Sequence, residues 1–132
     1  MKHSKSLEIL YLLNSALLFT HEVDSGYWQE WKLFGLPGGI QLFLLMNIVL
    51  VLIGLVGFRY VVLQRRAGLW FSLVQAASGA FAFVIHSIFI SKGHPEFTLP
   101  TSIVILVLAL LISVAQAVIA IIDLRLQPKV GN

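Results

Sequence analysis

The amino-acid sequence predicts an all-α integral membrane protein, a four-helix up-down bundle with a short interfacial helix between the first and second spans. The first observation is composition: 58% of the 132 residues are hydrophobic and 11% are charged, with a mean hydropathy of +0.92. Soluble domains carry about 25% charged residues. The second observation is that three apolar runs are long enough to cross a hydrocarbon layer of about 30 Å as helices. The length predicts a single transmembrane domain, residues 1–132.

The first span is the one that needs an argument from length. Residues 39–60, 68–91 and 99–122 are predicted to span without extension. The first apolar run, Leu7 to Thr20, would reach only about 21 Å as a helix. We therefore expect this span to continue to about residue 26, as residues 7–26. Its last turn then carries the polar residues of this stretch at headgroup depth: His21, Glu22 and Asp24.

The segment after the first span combines aromatic and polar side chains. Trp28, Trp31 and Phe34 recur three residues apart. Tryptophan favours the membrane interface because its ring has an apolar body and a polar edge. The pattern predicts a short helix on the outer leaflet, with Trp28 and Trp31 as its anchors, ended by the glycine-rich turn at residues 35–39.

Lysine and arginine residues fall mainly on one side of the predicted spans. That side has Lys2, Lys5, Arg59, Arg65, Arg66, Arg125 and Lys129, whereas the other has Lys32 and Lys92. This bias predicts that both termini are cytoplasmic, in what we expect to be a bacterial cytoplasmic membrane. The positive excess is thus a topology signal, and no nucleic-acid partner is expected. The chain has no cysteine, which excludes thiolate metal sites.

Polar residues inside the spans indicate which faces point inward. In three spans such residues lie on one face: Asn14, His21 and Asp24 or Ser25; Gln75 and His86; Ser113 and Gln116. In the second span Asn47 shares a face with Gly54, and Gln41 lies near the outer end. One interpretation is hydrogen bonding between helices that approach closely through small residues. The other is a polar pocket. The residues predicted to contact a ligand are Asn14, Asp24, Trp28, Glu30, Trp31, Gln41 and Gln75.

The predicted topology brings the outer ends of the first and third spans together. His21, Glu22, Asp24 and His86 are therefore candidate metal ligands, with Glu30 as an outer-shell partner. Imidazole nitrogen with carboxylate oxygen suits zinc, iron or manganese. Without a metal, His21, Glu22 and His86 are candidate catalytic acids and bases. The competing interpretation is a solvated outer rim, with His86 hydrogen-bonded to a neighbouring helix.

Two resemblances follow from these residues. The run from His21 to Gln41 resembles the signature of a family of small, uncharacterised four-span bacterial membrane proteins, a domain of unknown function: H-E-x-D-S-x-Y-W-x-E-W-x-L-F-x-L-P-G-G-I-Q. That resemblance implies no activity. His21, Glu22 and the Trp28–Trp31 segment are more loosely similar to the emopamil-binding and sigma-2 receptor group, four-span proteins that bind amphipathic amines or sterols. The acidic residues which that group carries inside its later spans have no equivalent here.

The sequence therefore predicts an outward-facing His and carboxylate site that binds a metal ion or a small lipid-phase ligand, with catalysis left open. The alternative is a non-catalytic accessory or oligomeric structural protein, in which the same residues orient helices and dock a partner. The expected partners are the lipid bilayer, a second copy or another membrane protein, and an amphipathic small molecule.

Overall fold

The computed structural model describes residues 4–126, and every regular element in that range is an α-helix. The all-α prediction is confirmed for this part of the chain. The helices are α1 (Lys5–Tyr27), α2 (Glu30–Leu33), α3 (Gly39–Val62), α4 (Arg66–Ser91) and α5 (Pro100–Leu126).

Among the described helices, α3, α4 and α5 are long and apolar enough to cross a membrane. Helix α1 is also long, at 23 residues, but it is less apolar than the other three. The difference arises because α1 carries Glu8 near its start and Glu22 and Asp24 near its end. Three of the four predicted spans thus coincide with helices of membrane-spanning length and composition.

Helix α1 begins and ends at identifiable local signals. The Ser4 hydroxyl accepts a hydrogen bond from the Leu7 backbone N–H at 3.2 Å, which caps the first turn. The helix then continues through His21 and ends at Tyr27. Gln29 has a φ of 55°, in the left-handed region that breaks a right-handed helix.

The left-handed residue also divides the aromatic segment. Trp28 caps the C-terminus of α1, whereas Trp31 belongs to α2, which is only four residues long. The two tryptophans therefore do not share one helical face, although their i, i+3 spacing predicts that they would. Trp28 packs against the buried cluster that contains Phe97, and Trp31 contacts Phe43 with 5.3 Å between ring centroids.

Apolar clusters form at the two ends of the helix assembly. One joins the start of α1 to the end of α3, the start of α4 and the end of α5, and its buried members are Leu7, Tyr11, Val61, Leu69 and Ala120. The other joins the end of α4 to α5 and the preceding loop, and its buried members are Ala82, Phe97 and Leu106. The hydrophobic core is thus split by a polar layer.

This polar layer is a hydrogen-bond network between α1, α4 and α5. Asn14 Nδ2 donates to Gln116 Oε1 at 2.8 Å and to Ser113 Oγ at 3.0 Å. Gln116 Nε2 donates to Gln75 Oε1 at 2.9 Å, and Gln75 Nε2 donates to Ser15 Oγ at 2.7 Å. Asn14 and Gln75 therefore direct their amides at other side chains of the protein, as expected for hydrogen bonding between helices.

Helix α3 is the least embedded of the long helices. Within residues 39–62, the buried residues are Gly57 and Val61, both near the C-terminus. A Cβ on Gly57 would collide with Phe71 of α4, which shows how closely the two helices approach there. Toward its N-terminus α3 meets α2 through the contact of Phe43 with Trp31. A cleft remains between these two points of attachment, with α1 and α4 on its other sides.

Candidate functional site

Three titratable side chains, one each from α1, α2 and α4, converge at one end of the helix assembly. His86 Nε2 lies 3.2 Å from His21 Nε2 and 3.2 Å from Glu30 Oε1. One ligand atom from each of the three residues lies within 4.8 Å of the other two. Helical spacing supplies the two imidazoles, because His21 continues the buried face of α1 and His86 ends the buried face of α4. The short α2 supplies the carboxylate.

The three side chains are shielded from solvent to different degrees. His86 is 1% exposed and His21 is 4% exposed, whereas the Glu30 side chain is 13% exposed. Imidazoles and carboxylates at such depth need partners. Each of these three finds its partner within the group.

Phe97 forms the cover over the two imidazoles. Its ring centroid lies 3.9 Å from that of His86 and 5.6 Å from that of His21, and the residue is 1% exposed. Its φ of 64° is unusual for a bulky residue. Sequence reasoning missed Phe97, because neither its loop position nor its residue type signals that the chain folds back over the site.

The arrangement of nitrogen atoms limits where protons can sit. The Nδ1 atoms of His21 and His86 are buried, with no hydrogen-bond partner among residues 4–126. If each neutral ring carries its proton on Nδ1, both Nε2 lone pairs face each other and the Glu30 carboxylate. Three acceptors so close together repel one another unless a proton or a metal ion lies among them.

The two 3.2 Å distances match what a bound metal ion requires. Zinc–nitrogen and zinc–oxygen bonds are about 2.0–2.2 Å long, so two ligands of a tetrahedral ion lie about 3.3 Å apart. The third distance, between the ligand atoms of His21 and Glu30, is at most 4.8 Å and would need to shorten for both to bind one ion. A carboxylate on a short helix can shift by that amount.

The Glu30 carboxyl group keeps its charge in this setting. Burial by itself would raise its pKa, but with a proton on His86 Nε2 the hydrogen bond from that nitrogen and the charge of the ring outweigh burial and lower the pKa of Glu30 below the ordinary value of 4.5. Glu30 is therefore an ionised carboxylate at neutral pH, which is the form that binds metal.

The convergent group faces a cavity of about 540 Å³. The cavity walls come from α1, α2, α3 and α4, and most of their side chains are apolar. Glu22 lies on the wall beside His21, on the side of α1 that faces α3, and it also lines a smaller cavity that contains Asn47. The polar lining is formed by His21, Glu22, Glu30, Ser78 and His86.

Several predicted site residues lie elsewhere. Asp24 lines a separate cavity between α1 and α5, together with Thr101 and Ser102. Gln41 is exposed in the first turn of α3. Asn14 and Gln75 belong to the polar layer. The converging ligand atoms are thus those of His21, Glu30 and His86, with Glu22 nearby and Asp24 facing away.

The loop histidine forms a separate pair. His94 Nδ1 lies 3.6 Å from Glu96 Oε2, and the His94 side chain is 43% exposed. Substitution of His94 is therefore a suitable control for substitutions of the buried histidines His21 and His86.

No curated protein and no solved structure matches the chain. The resemblance to the emopamil-binding and sigma-2 receptor group stays a prediction, as does the signature at His21 to Gln41. With a family model that covers residues 7–123, the chain belongs to the family of unknown function DUF6713.

Proposed function

We propose that this protein is a four-span membrane protein that binds a divalent transition-metal ion at the outward end of its bundle, with His21, Glu30 and His86 as ligands. The observation that carries the proposal is that His86 Nε2 lies 3.2 Å from both His21 Nε2 and Glu30 Oε1, with one ligand atom of each residue within 4.8 Å of the other two. Buried acceptor atoms so close together are stabilised by a cation between them.

The proposal treats α1 as a fourth span. Its 23 residues reach about 34 Å, enough to cross the hydrocarbon layer. Its polar residues Asn14, His21 and Ser25 are buried, whereas Ile9, Leu12 and Val23 are exposed. An inward polar face with an apolar outer face is what a membrane bundle requires. The arginines at residues 59, 65 and 66 favour cytoplasmic termini. This orientation would put α2 outside, together with His21, Glu30 and His86, which we call the His cluster.

The ligand set favours zinc, iron or manganese. Two imidazoles and one carboxylate are found both in catalytic zinc sites and in non-heme iron sites, and both leave positions open for water or a substrate. The open side here faces the cavity, where Glu22 lies on the wall. A zinc ion held there would supply a bound water with a lowered pKa, and a carboxylate beside it could accept the proton. Glu22 is our candidate for that role.

Metal analysis of detergent-purified protein tests the proposal. We expect about one equivalent of metal per chain, lost in His21→Ala and His86→Ala. The matched control is His94→Ala, because His94 is a histidine on the same side of the molecule that lies outside the group. Asp24→Asn should also keep its metal, since Asp24 lines a different cavity.

Thermal stability gives a second readout. A ligand at 100 times its dissociation constant stabilises the folded state by about 2.7 kcal/mol. Added zinc or manganese should therefore raise the melting temperature of metal-stripped wild type and leave that of His86→Ala unchanged. If wild type contains no metal and no divalent ion changes its melting temperature, the proposal is wrong, and the cluster is held by a shared proton.

A further inference from the structure

The cavity at the His cluster continues along the helices. It shares five lining residues with a second cavity of about 160 Å³ that extends toward the middle of α3: Leu18, Glu22, Leu50, Val74 and Ser78. We call the two together the lateral cleft. Its far end lies at Tyr11, Gly54 and Phe71.

The length of the lateral cleft matches one leaflet of a bilayer. On α1 the lining runs from Tyr11 to Glu22, which is about 16 Å at 1.5 Å per residue. The hydrocarbon layer is about 30 Å thick, so the cleft extends through about half of it. A chain that lies in the cleft would thus have the depth of a lipid tail in the outer leaflet.

The lateral cleft also opens sideways. Leu50 on α3 and Val74 on α4 line it and are 48% and 59% exposed, so its edge lies on the surface that faces lipid. At the outer end Phe34 and Glu30 line it beside His21 and His86, so the cleft includes the ligand atoms of the His cluster. A molecule can therefore enter from the bilayer while its polar head meets the ligand atoms.

The charged residues at the outer end of the cleft restrict which head groups a bound molecule can have. The cleft carries two carboxyl groups at its outer end, Glu22 and Glu30, beside two histidines. With a divalent ion bound to neutral imidazoles, the charges of the ion and two carboxylates cancel. A neutral head whose oxygen reaches the ion and whose hydroxyl donates to Glu22 keeps this charge balance, whereas a charged head would be left without a counter-charge.

We propose that the lateral cleft binds a lipid with a single apolar chain and a neutral, hydroxyl-bearing head, and presents that head to the ion held by His21, Glu30 and His86. The inference rests on the proposed metal site for its head-group contact. The tail position depends on the cleft alone.

Photolabelling with a monoacylglycerol that carries a diazirine in its chain tests the inference. The probe is added to protein in mixed micelles, and labelled peptides are mapped by mass spectrometry. We expect saturable labelling of α3 and α4 around Leu50 and Val74, displaced by excess unlabelled monoacylglycerol. A fatty amine and a fatty acid of the same chain length should displace it at least tenfold less well.

Two tryptophan substitutions on α4 provide the matched comparison. Val74→Trp fills the cleft, whereas Val84→Trp adds the same bulk at a position that is 52% exposed and outside the cleft lining. Val74→Trp should reduce labelling at least tenfold, and Val84→Trp should label like wild type. Equal melting temperatures and equal metal contents would show that both variants fold.

Labelling spread over the exposed faces of α3 and α5, unaffected by Val74→Trp, would overturn the inference. So would better displacement by the amine or the acid, since the head-group argument would then be wrong. If the metal is present and labelling is unspecific, the proposed metal site stands without the lipid. If labelling is specific but no metal is found, the cleft binds a lipid and the metal proposal fails.

Discussion

The cover that Phe97 forms over the histidines can be tested by truncating its side chain. Removing a buried phenylalanine down to alanine costs about 3–5 kcal/mol in protein cores. Phe97 is 1% exposed and its ring lies 3.9 Å from that of His86, so we expect Phe97→Ala to lower the free energy of unfolding by an amount in that range. The variant would also admit water to the imidazoles.

A second substitution, Phe97→Gly, distinguishes the effect of losing the aromatic ring from the effect of the backbone conformation. At a φ of 64° a Cβ atom is strained by about 1–2 kcal/mol, and glycine is free of that strain. Phe97→Gly should therefore be more stable than Phe97→Ala by about 1 kcal/mol. In the middle of a helix alanine is more favourable than glycine, so Ala77→Gly on α4 should lower the free energy of unfolding by about 1 kcal/mol.

Reversible unfolding in mixtures of a mild and a denaturing detergent, followed by tryptophan fluorescence, measures these differences. The opposite signs of the alanine-to-glycine change at positions 97 and 77 are the critical result. If Phe97→Gly is less stable than Phe97→Ala, the residue is not held in the left-handed conformation. A loss below about 1 kcal/mol in Phe97→Ala would mean that the ring does not cover the site.

Two further predictions concern the polar layer and the carboxylate. A Cβ on Gly79 would collide with Ser113 Oγ, so Gly79→Ala should lower the free energy of unfolding by about 1–3 kcal/mol. The loss should be smaller in a Ser113→Ala background, and strictly additive losses in a double-mutant cycle would contradict this packing. The pKa of Glu30 is lowered below 4.5, so its carboxylate stabilises the fold above about pH 4.5, and the contribution is lost as the pH falls through the lowered value. In metal-free protein the difference in unfolding free energy between wild type and Glu30→Gln should therefore be constant from pH 7 to about 5 and shrink in more acidic buffer. A difference that grows on acidification would show that the pKa of Glu30 is not lowered in the folded protein.

Hydropathy and length predicted the helices well, because membrane helices follow simple constraints. The span expected at residues 39–60 is a helix at Gly39–Val62, and the first helix ends at Tyr27, one residue beyond the expected boundary. The backbone of a membrane helix has to satisfy its own hydrogen bonds, so an apolar run and a helix tend to have the same limits. The interfacial position of α2 stays a prediction.

The site was predictable only in part. His21 and His86 follow from helical faces and from topology, which sequence periodicity reports. Asp24 was grouped with His21 because residues three apart lie only about 60° apart around a helix, and that offset is enough for Asp24 to line the cavity between α1 and α5 instead. Glu30 became a ligand candidate because the left-handed Gln29 redirects the chain after α1, and the Glu30 side chain then reaches His86 of α4. That conformation has no signature in the sequence.

The distance along the chain between Asn14 and its partners has a consequence for biosynthesis. Asn14 donates to Ser113 and Gln116, which lie 99 and 102 residues later in the chain. When α1 leaves the ribosome, its amide has no partner, and α1 is also the least apolar of the long helices. With α1 as the proposed fourth span, a chain stalled before α5 should therefore leave α1 loosely inserted and open to proteases, and synthesis of the last helix would complete the insertion of the first.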